Sequence, residues 1–318
     1  MEKGANYGFM TDTEISEAIN NQDREIIIFP FNEKNLTPIG YNFSFSRFIV
    51  SLSKGNFVTL VNDKKTGVMY FDLRPSETVL VLSKETVSVS ANIGGTFHSK
   101  VSLVAKGLGH VSTTLDPGWQ GQLLVPLNNP TNRKVRVFIN KRIYDKQSDS
   151  WSLVDNTFLT LVFFKAQEGA TNISPNRPAR IELLDEILKS RKPSKARQKL
   201  IEQVNRIRVA YGNGNIIKLG TIADRRANYD AYIQQQKRLN NDLDTNYPLV
   251  KKAAEKLAIS SYIRFVLLGI VTFAILLGLA IFSFFTVNAR IADSLKLIVP
   301  VLTSFSIFFL THIKDRFI

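Results

Sequence analysis

The sequence predicts an α+β membrane protein in three parts: a distorted β-barrel or jelly roll, a helical middle region and a C-terminal two-helix transmembrane hairpin. Short β-rich runs separated by turn residues fill positions 24–165, a spacing typical of barrels and sandwiches. Apolar residues at helical spacing follow from Ile181. The 23 residues from Phe265 to Val287 contain no charge, and about 20 apolar residues suffice to cross a bilayer. The predicted domain boundaries are therefore 1–166, 167–260 and 261–318.

Composition narrows the class of partner. The chain has 318 residues, a formal net charge of +14 and no cysteine. An excess of positive charge favours an anionic partner such as a nucleotide, a nucleic acid or an acidic lipid surface. The absence of cysteine excludes disulfides and also excludes the zinc deaminases, which hold their metal with a Cys-x-x-Cys pair. We predict no metal site and no cofactor.

Residues 97–129 are the most informative stretch of the β-rich part. Apolar strands flank a glycine-containing polar turn and then the tight turn Asp116-Pro117-Gly118. Proline fixes φ and glycine supplies a positive φ, so this tripeptide predicts a β-hairpin. In the simplest interpretation, Asp116 only stabilises that turn.

Two motifs in this stretch resemble those of the dCTP deaminase/dUTPase superfamily. The run Lys100-x-Ser102-Leu103-x-x-Lys106-Gly107-Leu108 resembles its phosphate-binding motif, and Asp116-Pro117-Gly118-Trp119-x-Gly121 resembles the segment that forms its deoxynucleoside pocket. Further matches occur in the same order, and together they cover residues 10–166, about half of the chain. They lie at Met10–Ile15, Ile28–Phe31, Leu36–Phe43, Leu73–Leu82 and Leu159–Phe164.

The resemblance implies a ligand site made of two groups of residues. Phosphate would contact Lys100, Ser102 and Lys106. The base and sugar of the nucleotide would contact the Asp-Pro-Gly segment and the residues after it. In this chain these contacts would come from Asp116, Trp119, Gln120 and Asn128. Proteins of this superfamily are typically trimers with sites at the subunit boundaries, so the resemblance also implies a homo-oligomer, with a trimer expected.

The sequence departs from the superfamily at positions that matter for catalysis. Pro126 stands where the deaminases have the glutamate that transfers protons at C4, and proline has no titratable group. Lys100 replaces the leading arginine of the phosphate motif. The dUTPases place their water-activating aspartate near Asp116, but their last glycine-rich, arginine-bearing motif is absent. We predict a nucleotide-binding domain without catalytic residues; the alternatives are a membrane-tethered dCTP deaminase or dUTPase, and a protein-binding scaffold.

The middle region predicts basic helices after a linker at residues 167–178. Ile181, Leu184 and Leu188 share one helical face. A capping box of Thr221 and Asp224 begins a later helix that is predicted to end near residue 242. Lysines, arginines and tyrosines are mixed in this region, a composition that suits single-stranded nucleic acid. A solvated helix face is the alternative explanation.

The C-terminal region predicts two spans, at residues 265–287 and 297–313. Lysines and arginines flank the hairpin on both sides, which places the N-terminal domain and the C-terminus in the cytoplasm and the hairpin in the inner membrane. The second span contains hydroxyl side chains, and Asp293 would form an acidic ring in an oligomer, features that favour a cation pore. A simple anchor, with the hydroxyls bonded to backbone, is the alternative. The predicted pore residues are Asp293, Thr303, Ser304 and Ser306.

The three parts together resemble the membrane effectors of Hailong-type anti-phage defence systems. This resemblance implies an ion channel controlled by a deoxynucleotide or by a short single-stranded DNA. It also implies a cognate nucleotidyltransferase as the partner that makes the ligand, and a role in antiviral defence.

Overall fold

The protein is described here by a computed structural model that covers residues 7–109, 112–173, 180–190, 194–212 and 216–285. The chain divides into two compact units, residues 1–254 and 255–318. The helices within the described ranges are α1 (Asp12–Asn20), α2 (Val101–Val104), α3 (Ile181–Lys189), α4 (Lys195–Gly212) and α5 (Ile222–Phe285). The strands are β1 (Gly8–Phe9), β2 (Ile26–Phe29), β3 (Leu36–Thr37), β4 (Gly40–Ser51), β5 (Asn56–Phe57), β6 (Val61–Asn62), β7 (Met69–Leu73), β8 (Thr78–Val89), β9 (Ile93–Ser99), β10 (Thr114–Leu115), β11 (Gln120–Asn128), β12 (Val135–Phe138), β13 (Asn140–Asp145), β14 (Ser150–Asp155) and β15 (Thr157–Lys165).

Ten of these strands form one antiparallel sheet that curls around the core of the N-terminal domain. Its central order is β10-β9-β15-β4-β8-β11, with β1 on β15, β2 on β8, and both β3 and β5 on β4. Strands β12-β7-β6 form a second sheet, and β13 pairs with β14 in a separate hairpin. Alternating apolar residues of the long strands fill the core, among them the fully buried Tyr41, Phe43, Phe71 and Phe163. The predicted β-rich domain is confirmed.

Local capping signals set where two helices begin. The Thr11 hydroxyl accepts the backbone N–H of Glu14, and the Glu14 carboxylate accepts the N–H of Thr11, which is a complete capping box. Thr221 and Asp224 exchange the equivalent bonds at the start of α5 (3.0 and 3.1 Å). The helix start predicted at Thr221 is confirmed.

Helix α5 differs from the prediction of a helix that ends near residue 242 and begins again at Pro248. It is one helix of 64 residues with Pro248 inside it. Proline removes only one backbone hydrogen bond of a helix, whereas the buried side chains continue at helical spacing across it. These side chains are Leu239, Leu243, Val250 and Ala254.

The first part of α5 packs against the β domain. The ring of Tyr247 meets that of Phe48 edge to face, with 5.6 Å between the ring centres. The side-chain amide of Asn56 donates a 3.0 Å hydrogen bond to the carbonyl of Ala254. Helix α4 is attached separately, because the Arg197 guanidinium donates to the carbonyls of Gly55 (2.7 Å) and Leu188 (2.9 Å).

The predicted membrane spans are only partly within the described chain. Among the described residues no helix is both long enough and apolar enough to cross a membrane. The span predicted at 297–313 and the predicted pore residues Asp293, Thr303, Ser304 and Ser306 lie outside the described residues.

Candidate functional site

The predicted phosphate loop is the short helix α2 with the turn that follows it. Leu103 and Leu108 are buried and attach the loop to the core. The backbone N–H of Leu108 donates to the carbonyl of Leu103 (3.1 Å), and Gly107 adopts a φ of +85° that a residue with a side chain rarely adopts. The two leucines thus hold the loop in place while Ser102 and Lys106 are exposed to solvent.

Lys100 precedes α2 and is held more rigidly than the other two phosphate-loop residues. Its ammonium group donates a 2.5 Å hydrogen bond to the hydroxyl of Thr157 on β15. Burial lowers the pKa of Lys100, and the positive charge of Lys141 lowers it further. Lys141 on β13 therefore lies close enough to the phosphate loop for its charge to affect the protonation of Lys100.

A cleft of about 420 Å³ opens beside the phosphate loop. We call it the basic cleft; it is lined by Ser102, Lys106, Arg136, Lys141, Arg142 and Thr157, among other residues. Strand β12 supplies Arg136, and strand β13 supplies Lys141 and Arg142. The sequence interpretation missed these three, although the dense run of lysine and arginine between positions 133 and 142 was a visible signal.

The arginines of the basic cleft are held by different neighbours. Arg136 makes two hydrogen bonds to the carboxylate of Asp72 (2.8 and 3.2 Å), and its guanidinium lies 4.0 Å from the centre of the Tyr70 ring. These hydrogen bonds lower the pKa of Asp72 and favour its ionised form. The same carboxylate also pairs with Lys134 (3.4 Å), so two cations share it. The guanidinium of Arg142 instead lies over the ring of Trp151, 4.7 Å from its centre.

The Asp116-Pro117-Gly118 turn forms between β10 and β11, but the predicted hairpin does not, because β10 pairs with β9 and β11 pairs with β8. The N–H of Trp119 donates to the carbonyl of Asp116 (3.1 Å), and Gly118 has a φ of +75°. The Asp116 carboxylate is exposed and accepts a 3.3 Å hydrogen bond from the Thr114 hydroxyl. The half-buried indole of Trp119 donates to the carbonyl of Gly121 (3.2 Å). Asp116 is thus held at its backbone, and its carboxylate is accessible to a ligand.

Gln120 and Asn128, the other two predicted pocket residues, point to different neighbours. The buried amide of Gln120 donates to the carbonyl of Ile217 (2.5 Å) and accepts the N–H of Leu219 (3.1 Å), so it binds the segment just before α5. Asn128 exchanges two backbone hydrogen bonds with Gly109, at 2.8 and 3.1 Å, and so connects β11 to the phosphate loop. The structure thus places Gln120 against the helical region and Asn128 beside the phosphate loop.

Within one chain, only part of the second predicted group lies near the phosphate loop. Ser102 and Lys106 line the basic cleft, whereas Asp116 and Trp119 do not. Pro126 lies in the middle of β11, paired with Leu80 of β8 and half-buried. In the part of the chain that the structure describes, no three His, Asp or Glu side chains lie close enough together to hold a metal ion.

Comparison with protein families agrees with the resemblance in the sequence. Residues 9–144 match the family described as dCTP deaminase-like. Among solved structures, the 2′-deoxycytidine 5′-triphosphate deaminase of Agrobacterium tumefaciens aligns over 51% of this chain and 49% of its own, with 10% identity and a TM-score of 0.35. The dUTPase of phage phi11 of S. aureus aligns over 48% of this chain and 97% of its own, with 15% identity and a TM-score of 0.27.

Characterised relatives are enzymes. A dCTP deaminase of Pyrococcus horikoshii is 30% identical over 119 residues, which are 37% of this chain and 72% of the relative. A dUMP-forming dCTP deaminase of Tropheryma whipplei is 25% identical over 146 residues, 42% of this chain and 74% of the relative.

These relatives correct one prediction from the sequence. The chain was predicted not to be an enzyme because Pro126 replaces a proton-transferring glutamate, but the similar proteins are named as enzymes and that prediction is wrong. Pro126 removes a single acid/base group, whereas the exposed Asp116 carboxylate remains. Through its N-terminal β domain, the chain belongs to the dCTP deaminase-like family.

Proposed function

We propose that the N-terminal domain hydrolyses a pyrimidine deoxynucleoside triphosphate to the monophosphate and pyrophosphate. The observation that supports this reaction most directly is the exposed carboxylate of Asp116 at the start of an ordered turn, combined with proline at position 126. The names of the relatives support the substrate class, since they act on dCTP and one of them forms dUMP.

The proposed chemistry uses groups that the chain provides. The carboxylate of Asp116 accepts a proton from a water molecule, and the oxygen of that water attacks the α-phosphorus. The bond between the α-phosphorus and the bridging oxygen breaks, and pyrophosphate leaves. Cations of the basic cleft, among them Lys106, offset the negative charge that develops on the phosphates. Deamination is disfavoured, because it requires proton transfer at the pyrimidine ring and Pro126 cannot provide it.

We further propose that a complete site forms between two copies of the chain. Asp116 and Trp119 lie outside the basic cleft of their own chain, so a second copy would bring them to the phosphates. The resemblance to a typically trimeric superfamily supports this arrangement.

The experiment that tests the function is an assay of the purified full-length protein with dCTP and dUTP, with and without added Mg²⁺. Released ammonia reports deamination, and released pyrophosphate reports hydrolysis. We expect pyrophosphate and dUMP from dUTP, a loss of at least ~100-fold in kcat for Asp116→Asn, and no change for the exposed control Asp230→Asn. Ammonia release without pyrophosphate, or full activity of Asp116→Asn, would contradict the proposal.

Mixed oligomers test the shared site separately. Asp116→Asn and Lys106→Gln subunits, each inactive alone, should regain part of the activity when they are unfolded and refolded together. Refolding either variant alone is the control. No recovery in mixtures that are shown to contain both subunits would mean that each chain holds a complete site.

A second candidate function, a membrane channel controlled by a deoxynucleotide or a short single-stranded DNA, rests on the apolar sequence runs at 265–287 and 297–313. In this proposal the hairpin lies in the inner membrane, and a nucleotidyltransferase supplies the ligand. Carbonate extraction of membranes from expressing cells tests the location. Recovery of the protein in the soluble fraction would rule the channel out, and retention in the membrane would call for ion-flux assays with and without dUTP.

A further inference from the structure

We propose that the β13–β14 hairpin provides half of the anion-binding site, with Lys141 and Arg142 binding a polyphosphate together with the phosphate loop. The choice of a nucleoside triphosphate as the natural ligand rests on the proposed function. The binding of polyphosphate by these two residues does not depend on that function and can be tested without any nucleoside.

The first argument is geometric. Ser102 and Lys106 line the basic cleft from α2, and Lys141 and Arg142 line the same cleft from β13. Its volume of about 420 Å³ lies within the range of about 300–1,000 Å³ that small-ligand sites occupy. An anion in this cleft would therefore meet basic groups from two elements of the fold rather than one.

The second argument is electrostatic. Arg136 is paired with the carboxylate of Asp72, as described above. By contrast, across the described ranges Lys106, Lys141 and Arg142 form no ion pair with any carboxylate. Uncompensated like charges that face one cleft repel each other, and a bound anion relieves that repulsion. The arrangement is therefore suited to a ligand with several negative charges, such as a polyphosphate.

The third argument is that Arg142 is held in position before any ligand binds. Its guanidinium stacks on Trp151 of the paired strand, and the Trp151 ring also packs against Tyr144, with 5.2 Å between the ring centres. Leu153 attaches the hairpin to the β6–β7 turn, because a Cβ on Gly67 would lie only 2.9 Å from the Leu153 side chain. A positioned guanidinium loses little conformational freedom when it binds phosphate.

The family match covers Lys141 and Arg142 but only part of the hairpin that carries them. The match to the dCTP deaminase-like family ends at residue 144, inside the hairpin, so Trp151 and the rest of β14 lie beyond it. The residues that hold Arg142 in place are therefore a feature of this chain that the matched segment of the family does not include.

The test measures binding of inorganic tripolyphosphate to the purified full-length protein by isothermal titration calorimetry. The test variant is Lys141→Gln with Arg142→Gln. The control is Lys146→Gln, an exposed lysine in the turn of the same hairpin that does not line the cleft. Charge-assisted hydrogen bonds of ordinary strength predict a loss of affinity of ~10-fold or more for each residue. The control should change by less than ~2-fold.

Each outcome supports or overturns the inference. Unchanged affinity in the double variant, or no binding of tripolyphosphate by the unmodified protein, would overturn it. If the double variant also melts at a lower temperature, the single variants Lys141→Arg and Lys141→Gln decide, because both leave the stacked Arg142 guanidinium in place. Retained affinity in Lys141→Arg with a loss in Lys141→Gln supports the inference, and equal affinities of the two variants overturn it. Because tripolyphosphate carries no base, strong binding without dUTP hydrolysis would contradict the proposed function alone.

Discussion

Arg225 gives a sharp test of how the helical region is attached to the β domain. Its side chain lies in the first turn of α5 and is only 1% exposed. The guanidinium donates to the carbonyl of Arg24 (2.9 Å), the hydroxyl of Ser88 (3.0 Å) and the carbonyl of Val89. Burial lowers the pKa of Arg225 to about 10, so the side chain is still charged at neutral pH. Replacing it with methionine keeps much of the volume and removes all of these bonds.

The expected loss in the free energy of unfolding follows from the acceptor groups that Arg225→Met leaves without their donor. Two buried oxygen acceptors and the part-buried carbonyl of Arg24 lose a partner. Each lost hydrogen bond to a charged donor costs about 1.5–3 kcal/mol, and part of this cost is offset because the variant no longer buries a charge. Removing one member of a buried charged cluster typically costs about 3–5 kcal/mol. We therefore expect Arg225→Met to lower the free energy of unfolding by about 3–5 kcal/mol, a large part of the total stability of an ordinary domain.

The neighbouring residue is a matched control. Arg226 is half-exposed and pairs with Asp23 at the surface, where an ion pair contributes about 0–1 kcal/mol. Arg226→Met should therefore cost no more than about 1 kcal/mol. Urea denaturation followed by circular dichroism measures both variants, and amide hydrogen exchange at residues 217–219 reports whether the start of α5 detaches locally.

A specific result would refute this reasoning. Equal effects of Arg225→Met and Arg226→Met, with unchanged exchange at Leu219, would mean that the buried guanidinium does not attach α5 to the sheet. A large effect confined to Arg225→Met would support the attachment.

Three further predictions concern the β domain. Gly118→Ala should cost about 1–2 kcal/mol in urea denaturation, because alanine resists a φ of +75°; Gly169→Ala, at a site where a Cβ makes ordinary contacts, should cost far less. Burial raises the pKa of Glu85 above its usual 4.5 despite hydrogen bonds from Ser44. Between pH 4.5 and the raised pKa of Glu85, the folded state therefore binds more protons than the unfolded state. The free energy of unfolding falls as the pH rises through that window. Glu85→Gln should remove this dependence in denaturation curves recorded across pH; a variant with the same slope would contradict the assignment. Asn129→Ala should lower stability by about 2–3 kcal/mol, because its amide donates to three carbonyls (2.8–3.0 Å); an unchanged urea midpoint would contradict this estimate.

The sequence alone determined the features that depend on neighbouring residues. The capping box at Thr221 and the tight turn at Gly118 were predicted where they occur. Each depends on hydrogen bonds and φ preferences within four residues, so the chemistry that sets them is contained in the local sequence. Lys100, Ser102 and Lys106 were also identified from a short motif, and two of them line the cleft.

Only the tertiary structure decided which distant residues meet. Gln120 binds the backbone of Ile217, 97 positions away, and no local pattern distinguishes it from a ligand-binding glutamine. Lys141 and Arg142 reach the phosphate loop because strand pairing brings β15, and the hairpin before it, beside β9. Such contacts depend on how whole strands pair and helices pack, and the free energy that selects them is spread over the entire core. For that reason the local sequence identified candidate ligand-binding residues, and the fold determined which of them share a site.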